Sequence, residues 1–296
     1  MNYAKVFETM IAETQAYLEN NNLQAMILGI SGGLDSTVTA AICHEVEKRN
    51  PELKFIGISL PCSSNTEEEN NSATICMKAF CKSGQWWTEN LQKEYMLMRA
   101  TCSQRHLMTT IGQGNIKARL RMTYLYNEAN YFKGLVMDTD NLTEHYLGFF
   151  TIHGDVCDFN PIGGLWKHEV YELAQYLYNE YYVKEMEGNI GWALRCAIGI
   201  RPTDGNGVND LGDMGQIAPA FAYYKNVEAY TKVDDIIKTY LTFVGRHPEE
   251  YQGAIEALYS EYGNKTVDGI IHRIRSTEYK RKKLPIVIAR DNYEFL

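Results

Sequence analysis

The sequence predicts an α/β fold, a doubly wound and mostly parallel sheet flanked by helices with a helical C-terminal part, from three observations. The first is an apolar run, Ala25 to Ile30, that has the length of a buried parallel strand and leads through Ser31-Gly32-Gly33 into a helical pattern. The second is a pair of further short apolar runs, Lys54 to Pro61 and Leu135 to Asp138, separated by helical segments as parallel crossovers require. The third is helical patterning from about residue 215 to about residue 278.

Taken in order, Val6, Met10, Ile11 and Leu18 recur at helical spacing and predict a packing helix over residues 3–20. After the first strand, Ser31-Gly32-Gly33 is a turn whose two glycines can take positive φ and bring backbone N–H groups to an anion. From Asp35 onward, Val38, Ala40, Ala41, Ile42 and Val46 make one face of a helix whose positive end points back at that turn. Strand, glycine turn and helix N-terminus together form a phosphate cradle. The lysine of a GxxxxGK[ST] loop is absent, and Asp35 stands near its place. A carboxylate beside phosphates requires a cation between them, so Asp35 reads as a Mg²⁺ ligand.

Thr66 to Glu69 reads as a loop and first helical turn ahead of a helix at 73–80, and Trp86 and Trp87 are expected in the core. Gly114 and Asn115 signal a helix start, which sets Lys117, Arg119 and Arg121 in first turns where the helix dipole disfavours cations; an anionic ligand would compensate. Thr139 to Glu144 emerges at the carboxyl end of the third strand, and Glu144 offers a second carboxylate to Mg²⁺. Residues 149–158 form an irregular loop in which His153 reads as a loop histidine, and Asn160 to Lys167 leads into a helix carrying Val170, Leu173, Ala174 and Leu177. Arg201-Pro202-Thr203 opens a glycine- and aspartate-rich loop to Gly215, long enough to be a lid, and residues 279–285 are basic.

A net charge of −8 argues against a surface built for nucleic acid. Seven cysteines, odd in number and without a CxxC pair, read as reduced thiols rather than a disulfide frame or a zinc site. No apolar run approaches the roughly 18 residues that span a bilayer, and the N-terminus lacks a signal pattern. With no repeat or linker dividing the chain, one cytoplasmic domain over residues 1–296 is expected, without membrane or nucleic-acid partners.

The ordered motifs Gly29-Ile-Ser-Gly-Gly-x-Asp-Ser36, Gly114-Asn-Ile-Lys-Ala-Arg-x-Arg-Met122, Thr139-Asp-Asn-x-x-Glu144, Gly154-Asp155, Pro161-Ile-x-x-Leu-x-Lys167 and Pro202-Thr203 resemble the ammonia-dependent form of the NAD⁺ synthetase family. The loop alone resembles that of the N-type ATP pyrophosphatases, of the adenine nucleotide alpha hydrolase-like fold. The resemblance implies ATP contacts from Gly29, Ile30, Ser31, Gly32, Gly33, Leu34, Asp35, Ser36, Thr139, Lys167 and Thr203, and Mg²⁺ held by Asp35 and Glu144. It implies contacts to deamido-NAD⁺ from Arg119, Asp158, Tyr279 and Lys280, across the interface of a homodimer. The chain departs from the family pattern at Ile152, at a Gly154-Asp155 loop one residue shorter than usual, and at Tyr279.

The implied reaction is attack of the nicotinate carboxylate on the α-phosphate of ATP, giving an acyl-adenylate and pyrophosphate, then attack of ammonia with release of AMP. Asp35 and Lys167 would act on the phosphates, and Asp158 or Asp155 would take the proton that ammonium must lose. No cysteine sits in a nucleophile setting and the stretch before Gly29 reads as one helix, so free ammonia is the expected donor, with a separate glutaminase as its source in the cell. The alternatives are another pyrophosphatase-loop ligase, which on tRNA would need a basic extension or a cysteine pair, and an ATP-binding module without turnover, which would not need both Asp35 and Glu144.

Overall fold

The computed structural model describes residues 1–62, 64–185, 189–203 and 212–282. Four strands, β1 (Ala25–Gly29), β2 (Lys54–Ser59), β3 (Trp86–Thr88) and β4 (Gly134–Met137), make one sheet in the order β3-β2-β1-β4, and every neighbouring pair is parallel. Ile27 at the centre pairs with Ile56 on one side and Val136 on the other. The helices are α1 (Tyr3–Asn20), α2 (Leu34–Arg49), α3 (Glu67–Phe80), α4 (Gln92–Ser103), α5 (Thr110–Tyr131), α6 (Leu142–Leu147), α7 (Lys167–Tyr176), α8 (Asn189–Gly199), α9 (Gly212–Ile217), α10 (Asn226–Phe243), α11 (Pro248–Tyr262) and α12 (Asn264–Ser276).

Strand side chains alternate between faces, and β1 is apolar on both, so both must be covered. Met26 and Leu28 join the larger core with α1, α2, α7 and the C-terminal helices, whereas Ala25 and Ile27 join a smaller one with Tyr95 of α4 and Met122 and Leu125 of α5. The chain leaves β1 toward β2 on one side and reaches β4 on the other, which opens a crevice at the carboxyl ends of β1 and β4 where ligands of doubly wound sheets bind. Beyond the sheet, α10 packs on α7, and α12 packs on α6 through a buried stripe of Val267, Ile270, Ile271 and Ile274.

Four expectations change. Trp86 and Trp87 are only half-buried, because they form an edge strand, and the Trp87 indole N–H donates to the Tyr124 hydroxyl at 3.1 Å. Helix α5 begins at Thr110 rather than at Gly114, since the Thr109 hydroxyl caps it by accepting from the Gly112 N–H at 3.0 Å. Lys117, Arg119 and Arg121 therefore lie well inside the helix, and the dipole argument for an anion there fails. The stretch 203–215 is not all loop either: α9 starts at Gly212, while residues 204–211, where a lid was expected, fall outside the described residues. Among the described residues no helix is long and apolar enough to cross a membrane.

Gly134 at the start of β4 lies so close to β1 that a Cβ would collide with the backbone carbonyl of Ala25. Gly134→Ala is expected to lower stability by more than about 2 kcal/mol, read as a shift in the urea midpoint at unchanged slope.

Candidate active site

β1, the glycine turn and the start of α2 follow one another as the residues predict, with one difference. Only Gly32 takes positive φ, at 82°, and a Cβ there would run into the backbone of Ala73; Gly33 has φ −76°. Gly32 accepts the Ser72 hydroxyl at 2.7 Å, so it locks the turn against α3 rather than facing the cavity, whereas Gly29, Ile30, Ser31, Gly33, Leu34, Asp35 and Ser36 line it. The turn is braced from within by the Ser31 and Ser36 hydroxyls, 3.0 Å apart, and by the Gly33 N–H on Ser31 Oγ at 3.2 Å. Gly33 is the N-cap of α2 and offers its N–H groups no side-chain acceptor, which leaves that end of the helix suited to an anion.

At the same end, Lys167 is 2% exposed and its ammonium donates to Asp35 and, at 3.4 Å, to Glu144. Asn141 fixes both carboxylates. Its side-chain amide donates to Asp35 Oδ1 at 3.0 Å, and in a capping box at the start of α6 its backbone N–H donates to Glu144 Oε2 at 3.1 Å while its side-chain oxygen accepts the Glu144 N–H. Burial works against the Lys167 charge, but Asp35 and Glu144 overcome it and hold the ammonium well above its ordinary pKa. Burial pushes Glu144 up to about 7; Lys167 pulls it down and Asp35 pushes it further up.

A second group of carboxylates continues the wall. Asp140 is raised well above the usual range by burial and by the charges of Asp138, Glu144, Asp155 and Asp35, and burial also raises Asp155. Asp138 is structural: it accepts the Asp140 N–H at 2.7 Å, the Asn160 amide at 3.0 Å and the Cys157 N–H at 2.8 Å, which ties the end of β4 to the 155–160 loop. Cations share the cavity, with Arg121, Arg201, Lys265, Arg273 and Lys280 among its lining residues, and Arg121 and Lys280 lie close enough to Asp155 to pull its pKa down. The Lys280 ammonium donates to the carbonyls of Gly148 (2.7 Å) and Phe150, and burial followed by Arg273 lowers its pKa. The whole cavity measures about 1330 Å³.

The structure brings most of the expected residues into this one space. Thr139, Lys167, Thr203, Tyr279 and Lys280 line it with Asp35 and Glu144, and Thr203 donates to Glu69 at 2.5 Å. Arg119 and Asp158 are absent from the lining. Arg119 is exposed and donates to the Ile152 carbonyl at 3.1 Å, and Asp158 accepts the Tyr126 hydroxyl at 2.8 Å and the Val136 N–H at 2.9 Å.

A profile of the NAD synthase family matches residues 6–183. The chain belongs to that family. A protein of Campylobacter jejuni (strain RM1221) named NH(3)-dependent NAD(+) synthetase is 33% identical over 184 residues, which cover 60% of this chain and 69% of that one. One of the same name from Carboxydothermus hydrogenoformans is 35% identical over 180 residues, 60% and 71% of the two chains. Among solved structures, an NMN synthetase from Francisella tularensis superposes with a TM-score of 0.73 at 21% identity over 99% of this chain and 100% of its own. An NH3-dependent NAD synthetase from Campylobacter jejuni does so with a TM-score of 0.66 at 24% identity over 97% and 100%. At these identities the two structures speak for the fold.

The profile match runs from within α1 to beyond α7 and hence covers the cradle, Asp35, Glu144 and Lys167. The lining residues from Arg201 to Lys280 lie beyond it. Sequence reasoning passed over Asp140, Lys265 and Arg273. Asp140 carried a signal, as a second acid beside Thr139, but Lys265 and Arg273 sit at ordinary positions of an amphipathic helix and only the packing of α12 turns them inward.

Because the folded pKa of Glu144 lies above its ordinary value of about 4.5, its contribution to stability is present below about 4.5 and is lost as pH rises through about 7. Glu144→Gln is therefore expected to raise unfolding free energy at pH 8 by about 2 kcal/mol and to leave it nearly unchanged at pH 4.5, measured by denaturation at the two pH values without metal or nucleotide.

Proposed function

We propose that this ligase amidates the carboxylate of deamido-NAD⁺ with free ammonia, driven by ATP, through an acyl-adenylate that releases pyrophosphate and then AMP. The observation that carries this reading is a cavity of about 1330 Å³ lined by the glycine turn and the start of α2, by the acidic cluster around Lys167, and by Arg121, Arg201, Lys265, Arg273 and Lys280. That exceeds the roughly 300–1,000 Å³ of a one-ligand pocket and suits two nucleotides held together. The names of the relatives and the ADP complex of a glutamine-dependent NAD⁺ synthetase from Acinetobacter baumannii agree with it.

ATP and Mg²⁺ fit the donor set. Among the described residues no group of three or more His, Cys, Asp and Glu side chains is arranged to hold a metal. Asp35 and Glu144 alone supply the one or two carboxylates that Mg²⁺ takes when phosphate oxygens and water complete its shell. Bound there, the cation would offset charge on the departing pyrophosphate. The protein's own groups do the rest. N–H groups at the start of α2 meet the phosphates, and Lys167 presents a permanently charged ammonium to the anion that grows as pyrophosphate leaves. Asp155 lines the cavity, and burial raises its pKa, which suits it to take a proton from ammonium better than Asp158 on the outer surface.

Arg119 and Asp158 point to a homodimer in this reading, since residues exposed outside their own cavity can serve a partner's. The side of the sheet that carries them also exposes Met96, Leu97, Met98, Leu107 and Ile111 on and after α4, an apolar surface of the kind that subunit interfaces cover. Sedimentation is expected to give twice the chain mass of 33.9 kDa.

The decisive assay is mass spectrometry after incubation with ATP, Mg²⁺, ¹⁵N-ammonium and either deamido-NAD⁺ or nicotinate mononucleotide. Labelled NAD⁺ with AMP and pyrophosphate is expected, and Asp35→Asn should slow its formation at least about a hundredfold. ADP as the product, label entering from ¹⁵N-amide glutamine as fast as from ammonium, or amidation of the mononucleotide alone would each overturn the assignment.

A further inference from the structure

Helix α7 starts on a residue that cannot cap its first N–H groups. Its N-cap, Trp166, carries no acceptor; Glu169 accepts the Trp166 N–H at 3.0 Å, but the N–H groups of Lys167 and His168 need other partners. Two residues distant in sequence meet them. The Thr143 hydroxyl, on α6 beside Glu144, accepts the Lys167 N–H at 2.9 Å, and Asp234, midway along α10, accepts the His168 N–H at 3.1 Å and His168 Nδ1 at 2.7 Å. The same Asp234 carboxylate also accepts the Thr143 hydroxyl proton. Asp234 has no exposed surface and lies among Val233, Ile236 and Ile237, where a carboxylate persists only if its oxygens are fully bonded. Lys238 approaches His168 from the far side, at 3.5 Å from Nε2.

We infer that Asp234 is a positioning residue for phosphate activation: through Thr143 and His168 it locks the starts of α6 and α7 together, and so sets where Glu144 and Lys167 stand over Asp35. Asp234 reaches neither nucleotide. It acts by holding the two backbone segments from which the charged groups project, and a displacement of about 1 Å at such groups can slow catalysis by about a hundredfold. The inference rests on the proposed reaction for its kinetic consequence, but its structural core can be read without turnover.

The test compares Asp234→Asn, Thr143→Val and Thr143→Ser in the full chain. Amide hydrogen exchange in the absence of substrates reads the lock directly, and exchange at Lys167 and His168 is expected to speed up at least tenfold in the first two variants relative to α1. In steady state with ATP, Mg²⁺, ammonium and deamido-NAD⁺, the first two should lose about tenfold to a hundredfold in kcat with KM for deamido-NAD⁺ within about twofold. Thr143→Ser, which keeps the hydroxyl, should restore both. The double variant Asp234→Asn/Thr143→Val should be no worse than the poorer single one, because both break one link. Unchanged exchange at 167 and 168 overturns the inference, whatever the enzyme turns over. So does folded Asp234→Asn and Thr143→Val protein with wild-type kcat, or an equal loss of kcat and thermal stability in all three variants, which marks general destabilisation. If the wild-type chain amidates no pyridine nucleotide, the reaction assignment falls and the exchange data alone decide whether the lock exists.

Discussion

An ammonium with almost no exposure stays charged only where carboxylates surround it, and Lys167 meets that condition through Asp35 and Glu144, which reach it from the starts of two other helices. The Coulomb attraction of one such pair at 3.4 Å is about 5 kcal/mol at an effective dielectric constant of about 20. Removing each ion from water costs several kcal/mol, so the cluster contributes little net stability, whereas deleting Lys167 would strand its two carboxylate partners. Charge held at little net gain in stability, at the mouth of a phosphate cradle, is better explained by chemistry than by folding. The remaining features of this end of the molecule, the Asn141 clamp, the cap on α6 and the bracing of α7, all serve to keep three helix starts in register.

The cavity holds charge of both signs. Carboxylates gather at the ends of β1 and β4, and α12 with the turn that follows it brings Lys265, Arg273 and Lys280 to the same space. Two anionic nucleotides could not share a uniformly acidic space. One can accept the acidic end if a divalent cation comes with it, and the other needs a wall that is itself positive. Glu144, with a pKa near neutrality, belongs to the carboxylate group, and near pH 7 it is protonated in part.

Much of this was legible in the chain because local chemistry determined it. The cradle follows from a run of five or six apolar residues, a glycine that must take positive φ, and a helix start, all within a dozen positions, and the structure differs only in giving the left-handed turn to Gly32 alone. Glu144 was legible as an acid at a strand end. The start of α5 was misplaced because Thr109, a better cap than Gly114, has no apolar pattern before it to draw notice. Asp234 was invisible in principle: within the sequence it is one acid beside another on a helix, and its meaning comes from Thr143 and His168, 91 and 66 positions away. The cationic wall was hidden for the same reason, since helix periodicity says which face is buried but not what the other face looks across at.

Gly148 closes α6 in the left-handed conformation, with Thr277 packed where a side chain would otherwise be, and Lys280 and Arg281 hold the carbonyls of Gly148, Phe150 and Tyr146 from outside. The turn after α12 is thus a clasp on the segment that carries Glu144, although one end of the clasp lies within the family match and the other beyond it. The consequence is one of interchangeability. The C-terminal third of this chain cannot be exchanged for that of a relative as a free-standing module, because the graft would have to bring residues 146–150 with it, and a glycine at 148 that leaves room for the incoming threonine.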